Sequence, residues 1–183
     1  AETKKIVEFC KAVDVQVEGE LGHVGSVNDA EMCEYTKVDE AKRFVDETGV
    51  DALAIAVGNA HGAYKLPPKL DFERIRTIAN TVDVPLVLHG GSGLTDNDFR
   101  QAIKDGISKV NIFTDINIAA VKAEFSKFTS MDKGIIDLIP AAVEAIKQET
   151  LKKMQLFSSD GKADIQAGSV SSMNIEELTR LVA

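Results

Sequence analysis

Two hydrophobic periodicities alternate along most of the chain. Apolar residues spaced about 3.6 positions apart predict amphipathic helices, whereas short apolar runs and strict alternation predict strands. The pattern therefore predicts a leading helix and then four strands, each followed by at least one helix. The predicted strands are residues 13–21, 52–57, 84–88 and 108–113, and the predicted helices are 2–12, 38–47, 71–80, 95–104, 117–128 and 136–157.

Four strand-then-helix units in series predict an α/β fold with a parallel sheet. The run 52–57 is apolar at every position, as expected of a strand buried on both faces. Periodicity alone leaves two architectures open, a flavodoxin-like open sheet and half of a (β/α)8 barrel. Residues 1–160 are predicted to form this domain, and residues 161–183 a polar linker and a short amphipathic helix that opens at Asn174.

Composition narrows the class of partner. The 183 residues are 44% hydrophobic and 27% charged, with a net charge of −8, which argues against binding to nucleic acid or to an anionic membrane surface. A phosphorylated small molecule stays possible, because backbone amides can bind it. There is no apolar run long enough for a membrane span, the amino end is polar, and the two cysteines form no CxxC motif. These features predict a reduced, cytoplasmic protein.

Candidate metal ligands follow the predicted strands. His61 comes after the second strand and His89 after the third, each directly before a glycine. Because the carboxyl ends of parallel strands share one rim, the two imidazoles are predicted to be neighbours and to be able to bind zinc. Either histidine alone would be read as a hydrogen-bonded structural residue, and it is the pair at matched positions that favours a metal site. Glu20, which shares a strand face with Glu18, could be a metal ligand or part of a salt bridge, and His23 lies in a loop and is not predicted as a ligand.

Residues 89–95 have the features of an anion cradle. Glycines allow close approach of the backbone and positive φ angles, Ser92 offers a hydroxyl, and the helix opening at Thr95 presents amide groups. Asn111, in the predicted fourth strand, and Thr114, directly after it, could complete the cradle. Lys65 could supply a point charge to a phosphate, or could be a solvated loop lysine.

Four motifs together resemble the class II fructose- and tagatose-bisphosphate aldolases. They are VEGELG at 17–22, NAHGAYK at 59–65, LHGGSG at 88–93 and KVNIFTD at 109–115. The resemblance covers about residues 1–160 and implies strands five to eight of a (β/α)8 barrel. It implies Zn²⁺ ligation by His61 and His89, with Glu20 as an alternative ligand, and a Na⁺ or K⁺ ion held by backbone carbonyls. The substrate-binding residues that we carry over are Gly62, Lys65, Gly90, Gly91, Ser92, Asn111 and Thr114, and Asn111 is also the candidate catalytic residue.

The activity implied by the resemblance is reversible aldol cleavage of fructose or tagatose 1,6-bisphosphate. The products would be dihydroxyacetone phosphate and glyceraldehyde 3-phosphate, formed without a lysine Schiff base in a dimer or tetramer. In the family, the acid–base aspartate and another zinc-binding histidine precede strand five, on a part of the barrel that this sequence does not include. We therefore expect this chain to be inactive alone.

Two alternatives to an aldolase remain at this point. One is a non-catalytic half-barrel that binds sugar phosphates, and the other is a metal-free, phosphate-binding barrel isomerase. A further departure from the family pattern is that GSVN at 25–28 replaces a longer acidic loop.

Overall fold

The structure is a computed structural model that describes residues 2–23, 34–60, 68–128 and 134–162. His61, Gly62 and Lys65 lie outside the described residues, as does the predicted helix after Asn174. Ten elements are present in these ranges, in the predicted order. They are α1 Glu2–Lys11, β1 Glu18–Leu21, α2 Val38–Thr48, β2 Ala52–Ile55, α3 Phe72–Ala79, β3 Leu86–Leu88, α4 Asp96–Lys104, β4 Ile107–Val110, α5 Thr114–Lys127 and α6 Ile135–Leu156.

The predicted strand 13–21 is wrong in its first half. Residues 12–14 form a turn in which Asp14 has φ of +56°, and the side chains of Val13 and Val15 are exposed. Aspartate tolerates this left-handed conformation better than most residues. The alternation of valines therefore does not mark a buried strand there, and pairing with β2 begins only at Glu18.

All four strands are parallel, and their order in the sheet is β1-β2-β3-β4. A flavodoxin-like sheet reverses direction after its first two strands and so carries helices on both faces. Here the order never reverses, and right-handed crossovers therefore place the connecting helices on a single face. The sheet order thus decides against the flavodoxin-like alternative.

The hydrophobic core lies between the sheet and these helices. Alternate strand residues point into it, including Leu53 and Ile55 of β2 and Leu86 and Leu88 of β3, all at most 1% exposed. Phe99 of α4 is fully buried, and its ring lies 5.0 Å from that of Phe157, which follows α6. The side chains at the intervening strand positions point to the other face of the sheet.

Local capping contacts define several of the helix ends. Asp71 caps α3 by accepting a hydrogen bond from the amide of Arg74 at 2.9 Å. Thr95 and Asp98 form a capping box at the start of α4, and α2 ends at Gly49 with φ of +68°. In the ranges that the structure describes, no helix combines the length and the apolar character needed to cross a membrane.

Candidate active site at the carboxyl ends of the strands

The first strand presents two carboxylates on the face away from the helices. Gly19 is buried in tight contact with the helix layer, where an added Cβ would lie 2.8 Å from the ring of Phe44. Glu18 and Glu20, on either side of Gly19, therefore point to the opposite face. This confirms the prediction that the two glutamates share one strand face. Their side chains are 28% and 40% exposed.

Strand pairing aligns a row of residues across that face. Glu20 pairs with Ala54, Ala54 with Val87, and Val87 with Lys109. The two middle residues are apolar and fully buried, so charged side chains from the outer strands meet above them. The Nζ of Lys109 lies 2.8 Å from Oε2 of Glu18, which is an ion pair between β1 and β4.

His89 lies between the two glutamates. Its Nδ1 is 2.6 Å from Oε2 of Glu20, and its Nε2 is 2.7 Å from Oε1 of Glu18. The amide oxygen of Asn111 accepts a hydrogen bond of 2.7 Å from Lys109. We call these residues the inner-face cluster; its members are Glu18, Glu20, His89, Lys109 and Asn111.

One imidazole between two carboxylates has a chemical consequence. A neutral ring carries a single N–H, so it can donate a proton to only one of the two glutamates. The other contact needs a further proton, on the ring or on the carboxyl group, or a cation beside the nitrogen. The cluster is therefore arranged to accept positive charge next to His89.

The pKa of Glu18 reflects its partners. Partial burial by itself raises the pKa of this carboxyl, but the hydrogen bonds and charges of Lys109 and His89 outweigh burial and hold the pKa below its ordinary value. Glu18 is consequently ionised at neutral pH, and an ionised carboxylate only accepts hydrogen bonds.

Buried polar side chains tie the strand ends together. Asn59 is 1% exposed, and its amide group donates to the backbone oxygen of His89 at 2.9 Å while its oxygen accepts from the amide of Val57 at 2.8 Å. Thr36 links the ends of β1 and β2 in the same way, because its hydroxyl donates to the backbone oxygen of Leu21 and accepts from the amide of Ala56. These bonds fix the backbone that carries His89.

The loop after His89 requires glycine at three positions, for two different structural reasons. Gly90 and Gly93 adopt φ angles of +61° and +90°, which side chains strongly disfavour. Gly91 is required for packing, since a Cβ there would lie 2.9 Å from Val110 and 3.2 Å from the ring of Phe99. The expectation of positive φ and close approach in this segment is confirmed.

Ser92 joins this loop to the beginning of α5. Its hydroxyl is buried and accepts hydrogen bonds from the amides of Phe113 at 3.4 Å and Asp115 at 3.2 Å. No residue at the start of α5 caps the helix with its own side chain. By contrast, α4 uses the amides of Thr95 and Asp98 for its capping box. The positive helix end that Ser92 faces is therefore that of α5 rather than that of α4.

The opening turn of α5 is also anchored to α6. The carboxylate of Asp115 accepts a hydrogen bond of 2.7 Å from Lys153, whose side chain is only 11% exposed. The same ammonium group lies 3.6 Å from Glu149 and 5.1 Å from the ring centre of Phe99. A buried cation with two carboxylate partners holds the helix end in place.

In the described ranges, no three His, Cys, Asp or Glu side chains are arranged to hold a metal ion. Two donors of the expected set are adjacent there, Nδ1 of His89 and Oε2 of Glu20, and nitrogen and carboxylate donors suit zinc. The third candidate, His61, lies outside the described residues. His23 follows β1 and is exposed.

The predicted site residues within the described ranges fall into two adjoining groups. Glu20, His89 and Asn111 belong to the inner-face cluster, and Gly90, Gly91, Ser92 and Thr114 lie where the loop after β3 meets the start of α5. Two members of the cluster, Glu18 and Lys109, were not among the predicted site residues. Their two-residue spacing from Glu20 and Asn111 along the strands was the signal that could have identified them.

Comparison with known proteins identifies the family. The family model for class II fructose-bisphosphate aldolase matches residues 1–162, so the chain belongs to the class II fructose-bisphosphate aldolase family. It is 42% identical over 166 residues to YdjI of Escherichia coli K12, a protein described as uncharacterised. The aligned region covers 88% of this chain and 59% of YdjI.

Solved structures agree with this relationship. The crystal structure of the YdjI aldolase from Escherichia coli K12 superposes with a TM-score of 0.76 at 41% identity, over 88% of this chain and 56% of that one. A Coccidioides immitis protein, assigned provisionally as a fructose-1,6-biphosphate aldolase, superposes with a TM-score of 0.77 at 31% identity. That match covers 87% of this chain and 58% of the Coccidioides immitis chain. Campylobacter jejuni fructose-bisphosphate aldolase shares the fold, with a TM-score of 0.68 at 19% identity. That match covers 86% of this chain and 55% of the Campylobacter jejuni chain. The chain thus spans somewhat more than half the length of these relatives.

Proposed function

We propose that this chain forms strands five to eight of a (β/α)8 barrel in a zinc-dependent ketose-bisphosphate aldolase. The sequential sheet order with helices on one face supports the barrel, because continuing that order closes a sheet on itself. The polar face opposite the helices would then be the inside of the barrel, and the inner-face cluster would lie near its carboxyl rim, where barrel enzymes bind substrates.

The observation that carries the proposal is the position of His89. Its ring lies between Glu18 and Glu20 and is followed directly by the glycine loop that reaches the start of α5. In this proposal a metal-binding nitrogen and a phosphate-binding helix end lie side by side. A ketose bisphosphate needs both, since its carbonyl and its 1-phosphate are separated by a single carbon.

The phosphate would bind against the first turn of α5. The hydroxyl of Ser92 lies against this turn, where it accepts hydrogen bonds from the amides of Phe113 and Asp115. Thr114 and the backbone of Gly90 and Gly91 would border the bound phosphate. The helix end supplies positive potential in a protein of net charge −8. In this proposal Gly62 and Lys65 would contribute from the loop after β2.

The zinc would be held by His61 and His89, with Glu20 as an alternative ligand. When bound, such an ion polarises the substrate carbonyl as a Lewis acid. The chain's own residues would orient the substrate, with Asn111 held by its bond to Lys109 so that it can contact the hydroxyls of the dihydroxyacetone phosphate half. The bond cleaved would be the central carbon–carbon bond of fructose or tagatose 1,6-bisphosphate.

Dihydroxyacetone phosphate release by the complete protein tests the proposal. Both bisphosphates should be assayed before chelation, after chelation, and after zinc is restored. We expect chelation to abolish cleavage and zinc to restore it for at least one of the two substrates. His89→Ala should remove activity and weaken zinc binding, because it deletes a ligand.

His23→Ala is the matched control, since His23 is an exposed histidine at the same end of the sheet and should leave both activity and zinc binding unchanged. Cleavage that persists at full rate after complete removal of metal would contradict the proposal. Failure to cleave either bisphosphate in the presence of zinc would also contradict it.

A further inference from the structure

Glu18 has a place in the inner-face cluster that the proposed function does not use. It belongs to β1, at one edge of the sheet, yet each of its two oxygens contacts a residue from the other half of the sheet. Oε1 lies 2.7 Å from Nε2 of His89, and Oε2 lies 2.8 Å from Nζ of Lys109. Neighbouring strands are about 4.8 Å apart, so these contacts cross the sheet face rather than joining adjacent side chains.

The two glutamates beside His89 differ in their surroundings. Lys109 neutralises Glu18 and fixes its orientation, and the Glu18 side chain is 28% exposed. Glu20 is 40% exposed and contacts the other ring nitrogen, Nδ1. The carboxylate on the Nδ1 side is thus the more exposed of the two.

These contacts bear on which nitrogen of His89 would bind a metal. A metal-bound histidine is neutral and keeps one N–H, which normally donates to a carboxylate or carbonyl that sets the tautomer and the orientation of the ring. The carboxylate of Glu18 is in place to accept that proton from Nε2, and the backbone of His89 is itself held by Asn59.

We infer that Glu18, anchored by Lys109, is a positioning residue that keeps the proton of His89 on Nε2 and so presents Nδ1, beside Glu20, as the metal-binding nitrogen. The inference rests on the proposed function, because it takes His89 to be a metal ligand. It adds the residues that orient this ligand and names the ligating atom.

Zinc affinity, measured by competition with a chelating dye on the complete protein, tests the inference. Glu18→Ala should weaken zinc binding by about 10- to 100-fold, the usual effect of removing such a partner. Lys109→Met should weaken it in the same direction by a smaller factor, since Glu18 remains but loses its anchor. Glu34→Ala removes an exposed glutamate near the same rim and should bind zinc as the unmodified protein does.

A spectroscopic measurement answers the question without any substitution. Long-range ¹H–¹⁵N correlation spectra of the zinc-loaded protein report which nitrogen of His89 carries the proton. We expect a protonated Nε2 and a metal-bound Nδ1, and zinc on Nε2 would overturn the inference even if the Glu18 variants did not fold.

The outcomes separate the inference from the proposed function. Zinc affinity within twofold of the unmodified value in Glu18→Ala, together with a large loss in His89→Ala, would overturn the role of Glu18 and leave the aldolase proposal intact. Unchanged zinc affinity in His89→Ala would remove the basis of both.

Discussion

Asp105 joins two helices of the core layer, and its replacement by asparagine should destabilise the protein in a pH-dependent way. The residue follows α4, and its side chain is only 4% exposed. One oxygen accepts hydrogen bonds from Nε and Nη2 of Arg76 in α3 at 3.0 and 2.8 Å, and the other accepts from Gln101 at 2.6 Å.

The magnitude follows from these contacts. Hydrogen bonds to a charged group contribute about 1.5–3 kcal/mol, but the side chain of Arg76 is 57% exposed, and solvent screening reduces its contribution. Asparagine retains the shape and one acceptor oxygen. We therefore expect Asp105→Asn to lower the free energy of unfolding at pH 7 by about 1.5 kcal/mol, at the lower end of that range.

The pH dependence has a definite sign. Burial raises the pKa of Asp105, but the hydrogen bonds from Gln101 and Arg76 outweigh burial and hold it below its ordinary value of 3.8. A group with a lowered folded-state pKa stabilises the fold fully above its unfolded-state pKa and loses that contribution as the pH falls through the folded-state value. The difference between the unmodified protein and Asp105→Asn should therefore shrink once the pH falls below 3.8.

Urea unfolding at a series of pH values from neutral to acid measures this difference. Glu144→Gln is a suitable control, because it removes a carboxylate that is 60% exposed and lies 3.9 Å from Lys147; it should change stability by less than about 0.5 kcal/mol. A difference for Asp105→Asn that is absent at pH 7, or that stays constant down to acid pH, would refute the reasoning.

Three further substitutions probe the core and the phosphate end of the site. Phe99→Ala should cost about 3–5 kcal/mol in urea unfolding, because the ring is fully buried against Phe157; a loss below 1 kcal/mol would contradict this packing. Gly91→Ala should cost about 1–3 kcal/mol through overpacking, since its Cβ would lie 2.9 Å from Val110; an unchanged unfolding midpoint would contradict it. Ser92→Ala leaves two amides at the start of α5 without their acceptor and should cost about 1–2 kcal/mol. It should also weaken inorganic phosphate binding measured by calorimetry, and unaltered phosphate affinity would argue against the cradle.

Local signals in the sequence were sufficient for the order of the helices and strands and for the loop that follows β3. Capping residues such as Asp71 and Thr95 act within one turn of their helices, so their effect can be predicted without the fold. The loop after β3 was predictable for the same reason, since positive φ at Gly90 and Gly93 follows from local backbone geometry. The first strand was misjudged because the alternating valines Val13 and Val15 have no strand beside them.

The tertiary structure alone decided how distant residues combine. The sheet order depends on which strands pair, and no periodicity encodes that choice. The ion pair of Glu18 with Lys109 joins residues 91 positions apart, and the contact of Glu18 with His89 spans 71. The sequence by itself located the candidate residues of the described ranges near the ends of their strands. Only strand pairing could bring these residues to one face, because parallel pairing sets the row in which they meet.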